Sequence, residues 1–239
     1  MTFTKLPPGI CSGDCGELQL ASRTLGITHP PGYPVLASLG YLATCLLPVD
    51  PAYAVTLACY AAGLALFVLC ALMQVRLGVP IPVAVTVTLC FLWPSRTWIN
   101  LMVPEVYAPT LAFQAASAYL LLRYEAMGRT RDLASAAFSF GIAMASRPPL
   151  VLALPFVLFG WWRTRGRKRA ATRRNGFLRE LGVIVVCGAM PAVYSVAYLY
   201  VRDDPSTPYN DIHIKDTECD LLPCASEGFG AKAERVLFQ

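Results

Sequence analysis

Residues 133–162 read L-A-S-A-A-F-S-F-G-I-A-M-A-S-R-P-P-L-V-L-A-L-P-F-V-L-F-G-W-W. These thirty residues carry a single charge, Arg147, and directly after it a helix breaker, Pro148-Pro149. One straight helix of this length would run about 45 Å, too long for roughly 30 Å of hydrocarbon without strong tilt. Two half-length helices meeting at the Pro-Pro break make a hairpin instead. The choice sets the direction of every neighbouring segment.

Outward from it, four further stretches have the length and polarity of membrane crossings: Ala52 to Val75, Leu77 to Ser95, Val106 to Leu122 and Leu181 to Val201. With the hairpin, Arg76 and the loops Arg123 to Asp132 and Arg163 to Glu180 share one side, which carries 12 basic and 3 acidic residues. The other side, both termini included, carries 8 basic and 12 acidic. A straight helix would send the strongest basic loop outward, so the positive-inside rule selects the hairpin. Composition excludes the other classes. Of 239 residues 56% are hydrophobic and 15% charged, and Pro30 to Leu122 holds only Asp50, Arg76, Arg96 and Glu105 as charges. No soluble core of this size hides so much apolar sequence, and no disordered chain contains it. The expected fold class is all-α, a polytopic membrane protein. Residues 1–50 form an outer-face segment with a re-entrant or interfacial helix, residues 51–201 a six-crossing bundle, and residues 202–239 an outer-face tail.

The run Arg163 to Arg179 is read as a cytoplasmic anchor, and no nucleic-acid partner is expected. Helix breakers at membrane depth survive where protein or a water-filled cavity satisfies the freed backbone. Arg147 therefore marks an outward-opening cavity or snorkels to the headgroups. Pro30 to Val49 is broken by prolines at both ends and reads as the re-entrant or interfacial helix. The N-terminus lacks an apolar signal-peptide core. Nine cysteines form no zinc pattern and no metal is expected; Cys11/Cys15 and Cys219/Cys224, both on the outer side, are each candidate disulfides in an oxidising compartment.

Chemistry collects on that outer side. Asp14 and Glu17 stand three apart at the start of a helix-compatible run, so they share a face; the same spacing is a capping-box variant. His29-Pro30-Pro31-Gly32-Tyr33-Pro34 follows, a rigid turn presenting a histidine and a tyrosine. Glu105 and Tyr107 lie at the outer end of another span. Carboxylates with an arginine across a cavity suit an enzyme that deprotonates a hydroxyl and stabilises a phosphate leaving group.

The strings G-D-C-G-E-L, L-G-I-T-H-P-P-G-Y-P and P-E-V-Y-A, in that order, resemble a family of GT-C-type membrane glycosyltransferases linked to protein O-mannosylation. Its pattern is G-D-S-G-E, L-G-x-x-H-P-P-G-Y-P and A-E-V-Y, and the likeness extends from about Pro8 to Val201. The resemblance implies a GT-C-like helical bundle, here a partial member lacking the first span. It also implies a polyprenyl-phosphate sugar donor, mannose as the sugar, and transfer to a Ser or Thr hydroxyl of an acceptor protein on the luminal or periplasmic side. Asp14 would be the catalytic carboxylate beside Glu17, with His29, Tyr33, Glu105 and Tyr107 lining the site and Arg147 as phosphate partner. Cys15 replaces the family's serine, and Ser146-Arg147 stands where an Asn-His pair is usual, so Arg147 is assigned by charge alone. The expected partners are membrane lipids, the lipid-linked sugar and the acceptor protein. The expected location is the inner membrane of a bacterium or the endoplasmic reticulum of a eukaryote. The competing class is a non-enzymatic polytopic protein, a transporter or scaffold.

Overall fold

The computed structural model describes residues 9–92, 103–166 and 173–203. Regular structure there is entirely helical: α1 (Asp14–Thr24), α2 (Pro34–Leu46), α3 (Pro51–Arg76), α4 (Ile81–Leu92), α5 (Tyr107–Met127), α6 (Thr130–Ser146), a 3-10 turn (Pro148–Ala153), α7 (Leu154–Gly166) and α8 (Arg173–Arg202). Arg96, the centre of the basic run, the tail beyond Asp203 and the Cys219/Cys224 pair lie outside the described residues. The chain is an all-α membrane protein. Among the described residues α3, with 26 residues, and Gly176–Arg202 of α8, with 27, are long and apolar enough to cross a bilayer. The helices over Pro34–Leu46, Ile81–Phe91 and Pro148–Arg163 are apolar but shorter.

Two compact units divide the chain, with two of the boundaries falling inside long helices, α3 and α8, and another at the start of α5. The first comprises described residues 9–61, 103–106 and 193–203. In it α1 packs on α2, around Leu18, Leu36, Val55 and Cys59 with Tyr33 and Val106 against them. Gly40 of α2 leaves the space that the Ser22 side chain of α1 fills. Gln19, 3% exposed, donates its amide to the Ala52 carbonyl at 3.1 Å and to Thr56 Oγ1 at 3.2 Å, tying α1 to the first turn of α3.

The second unit comprises described residues 62–92, 107–166 and 173–192. The break at Arg147 is real: α6 ends at Ser146, Arg147 is extended (φ −143°, ψ 92°), and a 3-10 turn leads into α7. Leu133 near the start of α6 and Trp161 in α7 join one buried cluster with Tyr124. A straight helix would hold those two about 42 Å apart. The hairpin expected from charge is therefore the observed form, and its legs line one apolar cavity of about 230 Å3. Its base is tied by Arg123 and the buried Asp132 at 3.4 Å and by Trp161 Nε1 donating to Glu180 at 3.0 Å. Gly141 lets α6 approach the Gly188 carbonyl of α8, where any Cβ would collide.

Candidate active site

The motif G-D-C-G-E folds as the N-terminus of α1 for identifiable reasons. Gly13 precedes the helix at φ +70°, a conformation side chains rarely adopt. Gly16 sits against the Cys11 carbonyl, and a Cβ there would strike it. Cys11 and Cys15 are joined by a disulfide across this approach. The bond brackets Asp14 and occupies the position where the resembled family carries serine. No side chain caps α1, so the capping-box reading of Asp14 does not describe this helix start. Both acids lie in its first turn, where the helix dipole favours negative charge.

The second motif returns to the first. Leu25, at the α1 C-cap, and Tyr33, at the α2 N-cap, both adopt left-handed conformations, with φ +51° and +43°. Between them the chain turns back so that His29 meets Glu17. The His29 backbone N–H donates to Glu17 Oε1 at 2.6 Å, and Nδ1 lies 2.5 Å from Oε2. The Tyr33 hydroxyl stands 3.4 Å from His29 Nε2, with the rings edge to face. Glu17 is thus the orienting partner of the imidazole, which holds Nε2 toward Tyr33. The ligand atoms of Asp14, Glu17 and His29 all fall within 4.8 Å of one another, close enough to hold a metal ion. Asp14 itself is exposed, and its carboxylate has no hydrogen bond among the described residues.

Glu105 joins this group from the segment before α5. Val106 packs on the α1–α2–α3 cluster, and the Cys59 side chain bonds to the Glu105 backbone. Partial burial raises the Glu105 carboxyl above the usual carboxylate value, and the negative charge of Asp14 raises it further. A hydrogen bond from Val106 and the charge of His29 draw it back. Asp14, Glu17, His29, Tyr33 and Glu105 therefore belong to one neighbourhood of the first unit. Tyr107 and Arg147 belong to the second unit, where the guanidinium stands 4.5 Å over the tyrosine ring, a cation–π contact.

The end of α8 supplies residues that sequence reading did not single out. Arg202 Nε donates to the Leu25 carbonyl at 2.6 Å and its Nη2 to the Thr24 carbonyl at 2.7 Å. The Tyr198 hydroxyl donates to the Gly26 carbonyl at 3.0 Å. Leu199 packs on Ile27 and lies against Gly32. A cation at a helix C-terminus satisfies carbonyls that the helix leaves open. Here Arg202 holds the start of the turn that carries His29, and Leu199 lies against its far end at Gly32.

Residues 14–170 match the model of a family described as the N-terminal domain of protein O-mannosyl-transferase TMEM260. The mouse protein named protein O-mannosyl-transferase TMEM260 is 31% identical over 163 residues, 64% of this chain and 23% of its own length. The Dictyostelium discoideum protein of the same name is 42% identical over 41 residues, 17% of this chain and 5% of its own. The chain thus spans less than a quarter of the length of either relative. No solved structure matches. The family match opens at Asp14 and runs through both acidic motifs to the far leg of the hairpin, and by it this chain belongs to the TMEM260 N-terminal domain family of protein O-mannosyl-transferases.

Proposed function

We propose that this chain carries the acidic site of a glycosyltransferase that moves mannose from a polyprenyl-phosphate donor to a Ser or Thr hydroxyl of a protein. The observation that carries the reading is the convergence of Asp14, the Glu17–His29 pair and Glu105 at the start of α1. The relatives' names supply the sugar and the protein acceptor; the polyprenyl phosphate comes from the motif resemblance alone.

The geometry supports the following roles. Asp14 has a carboxylate not engaged by a neighbour among the described residues, so it is free to accept the hydroxyl proton. Its basicity counts as the acceptor oxygen bonds to the sugar's anomeric carbon while the bond from that carbon to phosphate oxygen breaks. The proton ends on Asp14, and the electron pair leaves with polyprenyl phosphate. Glu17 fixes the ring of His29, whose Nε2 and the neighbouring Tyr33 hydroxyl are the polar groups for sugar hydroxyls. The site acts on the luminal or periplasmic side, where the Cys11–Cys15 disulfide would persist.

The direct experiment incubates membranes containing the protein with mannose-labelled polyprenyl phosphate and a Ser/Thr peptide. Label on the peptide hydroxyl is the expected result. Binding of the lipid-linked sugar with no transfer to any protein acceptor would favour the transporter or scaffold class.

A further inference from the structure

A cleft of about 590 Å3 runs beside α1, bounded by Ile10, Gly16, Glu17, Leu20, Arg23 and Asp50 among others. Its volume is in the ordinary range for a ligand site. Positions 13, 16, 17, 20 and 23 form one face of the helix at 100° per residue, and Asp14 lies at the edge of that face beside Glu17. Glu17 is therefore common to the cleft and to the acidic group. Whatever lies along this face meets the acids at one end, with Arg23 about 9 Å farther along the helix axis.

Charge selects the occupant. Asp14, Glu17 and Glu105 make the near end negative, and Asp50 adds a carboxylate to the wall. Arg23 is the one cation among the described lining residues, and it stands at the far end. A phosphodiester lying along the cleft itself would meet the Glu17 and Asp50 carboxylates with Arg23 alone to offset them, which costs energy even at high dielectric. A neutral polypeptide has no such penalty. Ile10, 85% exposed, and Leu20, 46% exposed, offer it apolar contact. Gln19 is committed to the α3 contact and is not a recognition group.

We propose that this cleft takes an extended stretch of acceptor polypeptide, its hydroxyl-bearing residue placed at the Glu17 end. The proposal rests on the protein-acceptor reading above and deepens it. The test puts a photoreactive benzoylphenylalanine in place of Leu20 in the full chain in lipid nanodiscs. The control replaces Leu39 of α2, comparably exposed at 41%. The probe is a biotinylated library of short peptides with a central Thr and randomised flanks. Position 20 is expected to capture about tenfold more peptide than position 39. Equal capture overturns the proposal, as does capture of mannosyl polyprenyl phosphate in place of peptide. Where transfer is measurable, Leu20→Trp raises the acceptor KM and leaves the donor KM unchanged; an unchanged acceptor KM also overturns it. Peptide capture without any transfer leaves the cleft standing and removes the transferase reading, so the two fail separately.

Discussion

Glu105 shows what one residue gains from its neighbours. Its carboxyl is raised by burial and by Asp14, so the folded protein binds this proton more tightly than the unfolded chain. Stability from this group is therefore greatest at low pH and falls as pH rises through and just above the ordinary carboxylate range. Glu105→Gln removes the charge and keeps the shape. It is expected to raise the melting temperature at pH 7.5 and to make little difference below about pH 4, where Glu105 is protonated in both states; calorimetry at the two pH values checks this. Glu17→Gln works in the opposite sense, because a charge-assisted bond to a ring nitrogen is replaced by a neutral one. A loss of about 1–2 kcal/mol of stability is expected from chemical unfolding, with His29 freed from its fixed orientation. At this scale the sequence was partly legible. Asp14 and Glu17 were visible as a pair from their spacing, and His29 from its rigid turn. That Glu17 orients His29 was not visible, because the contact depends on left-handed backbone at Leu25 and Tyr33, two non-glycine residues whose sequence does not announce it.

Helices and turns carry the next lesson. The hairpin was legible because breaker and charge balance agree: prolines at 148 and 149 end one leg, and only a reversal leaves the basic loops together. The brace on the His29 turn was not legible, since Arg202 and Leu25 are separated by 177 positions and Arg202 looks like any interfacial arginine. Its charge-assisted bonds to two carbonyls are each worth roughly 1.5–3 kcal/mol. Arg202→Gln is therefore expected to speed hydrogen exchange in residues 24–33 by about ten- to a hundredfold, with Arg202→Lys in between. Exchange in the α6–α7 hairpin serves as the unaffected reference. The disulfide acts at the opposite end of α1. Cys11→Ser with Cys15→Ser, the second restoring the serine of the family pattern, is expected to fold and to loosen only the segment before α1, a change that limited proteolysis would register.

The whole chain presents large apolar side chains outward on several helices, Phe91, Phe156, Phe159 and Val193 among them. Exposed apolar surface on this scale belongs in hydrocarbon. The charge split between loops predicts its direction in the bilayer, with the basic segment before α8 facing the cytosol. A cysteine introduced at Ala171, after Cys45, Cys59, Cys70, Cys90, Cys187, Cys219 and Cys224 are changed to serine, is expected to react with an impermeant thiol reagent only when the cytosolic face is open. The site at the start of α1 should then work from the opposite face. The decisive measurement is mannose transfer to a Ser/Thr peptide by the full protein in sealed vesicles of each orientation, wild type against Asp14→Asn. The substitution keeps size and removes the basic oxygen. Transfer is expected only where the α1 face is accessible, and Asp14→Asn should lower turnover by roughly 10²–10⁴-fold while binding of the lipid-linked donor is retained. Wild-type turnover by Asp14→Asn, or transfer from the cytosolic face, would contradict the assignment of this site.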